Sequence, residues 1–337
     1  MNILVTGGAG YIGSHTVRAL EQFGYTPIIV DNLSRGHVES IPEGVTFYNM
    51  DIADPKLVDI MKEHHIIGVM HFAAHSQVGE SMVNPAIYYE NNVVGSYHLI
   101  ESARTAGVKH FVFSSTAAVY GEPEVVPIRE DAQLQPTNVY GRTKLMIEEM
   151  LSDYSSIYGS TYVALRYFNA AGADPSGTIG EDHHPETHLI PLVLDAARGK
   201  REYITIFGTD YNTADGTCVR DYIHVNDLAA AHVLAMDYLR KGGESQVFNL
   251  GSGNGFSVKE IIETAKEVTG IDIPVQYGDR RAGDPGTLIA SSEKIKNLLG
   301  WDPKFSNVAD IIKDAWKYRS IKCKDIRSLE PEYKCRI

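Results

Sequence analysis

Tyr140-Gly141-Arg142-Thr143-Lys144 sets a phenol and an ammonium four residues apart, on one face of any helix that holds them. A lysine ammonium near a phenol favours the phenolate and lowers its pKa. The pair would then act as a general base near neutral pH. Upstream, the apolar run Phe111-Val112-Phe113 ends in Ser114-Ser115-Thr116, three hydroxyls at the end of a strand. Thr116 is placed to relay or orient the proton that Tyr140 takes. Tyr-x-x-x-Lys alone is common on helix surfaces, so its meaning depends on what the rest of the chain binds.

That context comes at the N-terminus. Ile3-Leu4-Val5 reads as a buried strand, and Thr6-Gly7-Gly8-Ala9-Gly10-Tyr11-Ile12-Gly13 follows. Ile12, Thr16, Leu20 and Phe23 then recur at helical spacing. Gly8, Gly10 and Gly13 fit G-x-G-x-x-G; Gly7, Gly10 and Gly13 fit G-x-x-G-x-x-G. Strand, glycine turn and helix together are the context in which such a pattern binds a pyrophosphate at a helix N-terminus. Pro27-Ile28-Ile29-Val30 reads as a second strand with Asp31 at its end. An acid there binds ribose hydroxyls and repels a 2′-phosphate, favouring NAD over NADP. Arg35 is a counter-signal.

The elements that position these residues alternate. Strands are expected at 45–48, 68–72, 111–113 and 162–165, with helices at 55–64 (Asp54 as N-cap), 87–106 and 139–158. This predicts an α/β fold, a Rossmann-type doubly wound parallel sheet that binds ligands beyond the carboxyl ends of its strands. Past Asn169 the texture becomes irregular. A smaller, mixed α/β substrate-binding domain is expected there, with a strand at 246–250, helices at 293–299 and 308–316, and a loosely held tail after Ser320. The division is 1–168 for the NAD-binding domain and 169–337 for the substrate domain, with roughly 219–250 returning to the first.

The chain of 337 residues is 43% hydrophobic and carries a formal charge of -12, which argues against an extended nucleic-acid or anionic-membrane surface. No apolar run reaches transmembrane length. Cys218, Cys323 and Cys335 form no C-x-x-C, against a zinc or disulfide framework, and a cytoplasmic setting is expected. His183, His184 and His188 lack the acidic or cysteine spacing of a metal site, so none is expected and a role in a substrate loop is preferred.

Further stretches carry a resemblance. They are Val5 to His15, Val30-Asp31-Asn32-Leu33, His71-Phe72-Ala73, Val78-Gly79-Glu80-Ser81, Tyr88-Tyr89-Glu90-Asn91-Asn92, Phe113 to Thr116, Tyr140 to Lys144, Leu165-Arg166-Tyr167-Phe168-Asn169, Asp215-Gly216-Thr217 and Val219 to Val225. Together they resemble the extended short-chain dehydrogenase/reductase family, and within it the UDP-glucose 4-epimerases. The resemblance implies that Tyr140 takes the proton of the sugar 4′-hydroxyl while C4′ lends a hydride to bound NAD. The keto sugar then rotates and receives the hydride on its other face, so that UDP-galactose and UDP-glucose interconvert. It implies Gly7, Gly10, Tyr11, Ile12, Gly13, Asp31, Asn32, Asp51, Ile52, Phe72, Ala73, Ala74, Asn91, Ser114, Tyr140, Lys144 and Phe168 around the cofactor. Around the UDP-sugar it implies Thr116, Asn169, His188, Leu189, Phe207, Arg220, Arg281, Asp284 and Leu288. A homodimer through the helices at 87–106 and 139–158 is implied as well.

Two positions depart from that pattern. Ser76 stands where many members have Lys near the cofactor phosphates, and Leu288 where many have Tyr against the sugar. The smaller Leu288 implies a pocket that also takes UDP-N-acetylhexosamines. A UDP-xylose/UDP-arabinose 4-epimerase is the main rival reading. A 4,6-dehydratase is disfavoured because Ala117-Ala118 replace its Asp-Glu, and a non-catalytic dinucleotide sensor because the base is present.

Overall fold

Seven apolar runs pair in parallel: β1 (Asn2–Thr6), β2 (Thr26–Asp31), β3 (Thr46–Asn49), β4 (Ile66–His71), β5 (His110–Ser114), β6 (Thr161–Tyr167) and, much later in the chain, Gln246–Leu250. The computed structural model describes residues 1–281 and 285–329, with side chains of the last helix described as far as Lys322. Alternate side chains of these strands serve opposite faces. Ile3, Val5, Ile29, Met70, Val112 and Val163 pack under α1 (Tyr11–Gln22) and a later helix, Val225–Arg240. Leu4, Ile28, Val30, Val69, Phe111 and Phe113 pack on the other face. There they meet α2 (Leu57–Glu63), the helical stretch ending in Ser96–Ala106, and the helix Val139–Tyr158. Burial on both faces is what a parallel sheet with crossover helices requires.

The helices between β4 and β6 are α3 (Val78–Val83), α4 (Pro85–Tyr88), α5 (Ser96–Ala106) and α6 (Val139–Tyr158). The expected single helix at 87–106 is interrupted by a π-helix, Tyr89–Gly95. The wider turn carries Asn92, fully buried, which accepts from His75 N (2.8 Å) and donates to His75 O (3.0 Å) and to Thr143 Oγ1 (3.1 Å). One asparagine thus ties the π-helix to the end of β4 and to α6. The helix expected at 55–64 starts instead at Leu57, because Asp54 closes a turn with Lys56 N at 2.9 Å.

Beyond β6 come β7 (Asn169–Ala171), α7 (Leu189–Ala197), β8 (Ile204–Phe207), β9 (Val219–His224), α8 (Val225–Arg240) and β10 (Gln246–Leu250). They are followed by β11 (Gly255–Ser257), α9 (Val258–Thr269), β12 (Val275–Gly278), β13 (Thr287–Leu288), α10 (Glu293–Leu299) and α11 (Val308–Leu329). The large sheet runs β10-β6-β5-β4-β1-β2-β3, so β1 lies between strands reached in opposite directions. A smaller sheet holds β11-β9-β13 with β7 beside β9, and β8 pairs with β12. Within 219–250, α8 packs on α1 and β10 edges the large sheet, whereas β9 lies in the smaller one.

The loose tail expected after Ser320 is helical to Leu329. Within it Lys322 pairs with Asp182, and just before it Arg319 pairs with Asp195 at 2.8 Å and Glu186 at 3.3 Å. Among the described residues no helix is long and apolar enough to cross a membrane.

Behind the carboxyl edge of β5 sits a buried ion pair. Arg166 of β6 and Glu148 of α6 are 4% and 5% exposed. Arg166 also donates to the Tyr120 hydroxyl (2.9 Å), which donates to Asn249 of β10 (2.6 Å). Removing one member of such a pair strands the other without a partner. Glu148→Gln is therefore expected to cost about 3–5 kcal/mol in urea unfolding. A loss below about 1 kcal/mol, typical of exposed pairs, would show that the network contributes little.

Candidate active site

The site is assembled where β1, β2, β4, β5 and β6 end. After Thr6 the backbone turns at Gly7, whose φ is +75°, and a Cβ there would lie 2.6 Å from Ala73 N. A Cβ on Gly13 would lie 2.1 Å from the Gly7 carbonyl oxygen. The turn, the first turn of α1 and the end of β4 thus touch through backbone alone. Gly10 caps α1 without a side-chain bond, which leaves N–H groups open to an anion. This cradle fits a dinucleotide pyrophosphate.

Asp31 closes the adjacent edge. Its carboxylate accepts from Leu33 N (2.8 Å) and Ala9 N (3.0 Å), so it also braces the glycine turn. Burial raises its pKa, and those backbone donors oppose the shift. Asn32 donates to Asp51 at 3.1 Å, and Ile52 beside it is buried against Gly95. Phe72 and Ala73 donate their N–H groups to Thr6 O at 2.9 and 3.1 Å, and the Phe72 ring lies 4.7 Å from that of His232. Ala74 follows them, and Asn91 donates to Asn92 at 2.9 Å. Tyr11 donates its hydroxyl to Gly172 O at 2.8 Å, tying the start of α1 to the chain beyond β7.

The start of α6 presses against the residues after β5: a Cβ on Gly141 would lie 2.5 Å from Ala118 O. Asn138 caps the helix by accepting from Gly141 N at 2.8 Å. This contact brings Tyr140 beside Thr116, whose hydroxyl acts to lower the pKa of the phenol. Lys144 is buried and donates to Ser114 O at 2.8 Å, with its nitrogen 5.9 Å from the centre of the Tyr140 ring. The expected lowering of the phenol by the lysine is not found; the groups that act on it are its burial and Thr116. Burial pushes Tyr140 up to about 12, opposed by Thr116. Burial likewise pulls Lys144 down to about 7, opposed by Glu148.

Tyr167, at the end of β6, was not among the expected site residues. Its hydroxyl bonds to Ser114 Oγ, and burial holds its pKa above the usual phenol range. Its place at a strand's carboxyl end, beside Phe168, is the signal that could have found it.

The expected sugar-nucleotide residues come from several elements. Asn169 donates to Asp221 O at 3.0 Å. Arg220 of β9 pairs in register with Leu288 of β13. Leu288 packs against the cluster of Val119, Tyr120 and Ile128, as Phe168 does. The Arg281 guanidinium lies 4.0 Å over the Phe207 ring. Leu189 opens α7, preceded by His188, which is held by Glu181 and Glu186. Burial alone would lower His188, but those two carboxylates hold it up at about 10. Asp284 lies outside the described residues. The loop before α7 is bound to the cofactor side: Arg35 donates to His184 O (2.9 Å), His37 to Asp182 O (2.8 Å) and Gln77 to Pro185 O (3.0 Å).

Gly13→Ala tests the cradle. Overpacking of this kind costs about 1–3 kcal/mol. The variant is expected to purify without dinucleotide and to melt lower than wild type, checked by dinucleotide content after denaturation and by thermal unfolding. Full dinucleotide content would rule the close approach out as the constraint.

The model of the NAD dependent epimerase/dehydratase family matches residues 3–251. A UDP-glucose 4-epimerase of Halalkalibacterium halodurans is 56% identical over 319 residues, covering 94% of this chain and 95% of that protein. A solved UDP-glucose 4-epimerase structure superposes with a TM-score of 0.93 at 53% identity, over 98% of this chain and 99% of its own. Another, from Brucella ovis in complex with NAD, gives 0.92 at 47% identity, over 94% and 97%. Likeness of that depth, running through the glycine turn and the Tyr140–Lys144 helix alike, makes this chain a member of the NAD dependent epimerase/dehydratase family, with NAD as its cofactor.

Proposed function

We propose that the protein interconverts UDP-galactose and UDP-glucose by inverting C4′. The observation that carries this reading is the part-buried Tyr140 phenol beside Thr116 and Lys144, at the carboxyl end of β5 in the same sheet whose β1 leads into the glycine cradle. The cradle, Asp31, Asn32 and the residues after β4 would hold NAD. Bound NAD supplies a positively charged hydride acceptor for C4′ and a donor for its return. Tyr140 takes the 4′-hydroxyl proton and later restores it. Thr116 orients the phenol and offsets part of the cost of burying a phenolate. Lys144, anchored on Ser114 O, supplies nearby positive charge. Arg220 and Arg281 suit a diphosphate, since each carries a planar, permanently charged fork. A UDP-xylose substrate would use the same groups, but the names of the similar proteins favour the hexose.

Tyr140→Phe is expected to retain NAD and lose about 10²–10⁴-fold in kcat. The base must be deprotonated, so turnover rises with pH through its pKa. Thr116→Val removes the contact that lowers that pKa, so its loss should be larger at about pH 7 than at about pH 9. Coupled assays of UDP-glucose formation across pH measure both; an equal loss at both pH values removes Thr116 from that role.

Leu288 sets the proposed sugar range. It packs against the same small cluster as Phe168, the residue after β6, and a tyrosine there would be the bulkier side chain. Epimerisation of UDP-N-acetylglucosamine is expected in wild type, and a clash in Leu288→Tyr of about 1–3 kcal/mol, or about 5–150-fold in kcat/KM. Equal use of the N-acetyl sugar by both proteins clears Leu288 as the gate.

A homodimer is proposed through α5 and α6. Val94 and Tyr97 near the first, and Ile157 and Tyr158 on the second, are large and exposed. Light scattering at micromolar concentration should give a dimer, and Tyr97→Glu with Ile157→Glu a monomer; a monomeric wild type overturns the assembly.

A further inference from the structure

Between β7 and α7 the chain gathers Glu181, His183, Glu186 and His188. Each presents one carboxylate oxygen or imidazole nitrogen, and these four atoms lie within 4.8 Å of one another. The sequence expectation of no metal rested on the lack of a supporting acidic or cysteine spacing; Glu181 and Glu186 stand among the histidines in the chain, and the fold brings the four side chains together.

The geometry is convergent. His188 Nδ1 is 2.7 Å from Glu181 Oε1 and 3.0 Å from Glu186 Oε1. His183 Nδ1 is 3.1 Å from the same Glu181 oxygen. One imidazole nitrogen thus faces two carboxylates, and one carboxylate oxygen faces two imidazoles. A single N–H cannot align with both acceptors, whereas one cation can bond all four atoms after small shifts. Around zinc, with bonds of about 2.0–2.2 Å, tetrahedral ligands sit roughly 3.3 Å apart, a little more than the three separations of 2.7, 3.0 and 3.1 Å and less than the 4.8 Å that bounds the whole set. Two imidazoles and two carboxylates suit Zn²⁺ better than Mg²⁺ or Ca²⁺, which prefer oxygen alone.

The surroundings are built to orient these groups. Glu181 is 5% exposed. Glu186 Oε1 accepts from Thr187 N (2.8 Å) and His188 N (3.0 Å), and its other oxygen pairs with Arg319 of α11 at 3.3 Å. Fixing of ligands by such outer contacts is typical of metal sites. The His183 ring stands edge-on to that of Tyr11, 6.2 Å between centres, so the cluster adjoins the start of α1.

We propose that Glu181, His183, Glu186 and His188 form a structural Zn²⁺ site that clamps the loop before α7 beside the glycine turn. Four protein ligands leave no open position, so the ion stiffens the loop and takes no part in the chemistry.

The test uses the NAD-bound protein, stripped with a chelator, reloaded with zinc chloride and dialysed against metal-free buffer. Elemental analysis should find one zinc retained per chain, and thermal unfolding should shift upward on loading. His183→Ala and Glu181→Gln should each lose the retained zinc and the shift. His184→Ala should keep both, because that imidazole is 84% exposed and outside the cluster. His183 is partly exposed, so its variant remains informative if Glu181→Gln folds poorly. Failure of wild type to retain zinc, or equal retention by His183→Ala, overturns the site. NAD content and epimerisation are assayed alongside; their loss at unchanged zinc binding bears on the proposed activity alone.

Discussion

Three backbone segments meet at Gly7 with only hydrogens between them. The carbonyl of Gly7 lies against Gly13, and its α-carbon against the amide of Ala73. That packing brings the end of β4 beside the start of α1, at the place where the strand order reverses. A crevice outside the strand ends follows from the topology, but its depth follows from the missing side chains. Asp31, held by the amide of Ala9, and Tyr11, held by the carbonyl of Gly172, both take their positions from this turn.

At the other end of the crevice, burial and charge oppose each other. The α6 helix presents a phenol and an ammonium, and desolvation disfavours the ionised form of each. The groups that oppose it differ: a hydroxyl from the end of β5 for Tyr140, a carboxylate one turn along α6 for Lys144. Glu148 is in turn held by Arg166, so the charge state of the site is coupled to the packing between α6 and β6.

Much of this was legible in the residues. The strands of the large sheet announce themselves because burial on both faces demands uninterrupted apolar runs, and α6 runs over 139–158 as its pattern indicates. The glycine turn and the Tyr–Lys pair are local spacings, readable without the fold. What escaped is non-local. The strands β7, β11 and β13 are two or three residues long and carry no period. The π-helix depends on partners for Asn92 from β4's end and α6. The charged end of α11 looked like a tail because its partners, Asp182, Glu186 and Asp195, are far away in sequence. Tyr167 gains meaning only from Ser114, which the sequence does not place beside it.

The edge strand β10 has a consequence for how the chain is made. It pairs with β6 through residues that leave the ribosome about 80 positions later, after β7, β8 and β9 have appeared. At about 5–20 residues per second, that is a delay of roughly 4–16 s. Throughout that interval the nascent sheet ends in β6, an apolar strand with an open row of hydrogen-bonding groups. Asn249, the terminal partner in the chain from Arg166 through Tyr120, arrives with β10. The buried arginine network is therefore incomplete for as long as the edge is bare. Synthesis of this protein passes through a stage at which a chaperone, or another growing copy, can reach the strand that the finished molecule hides.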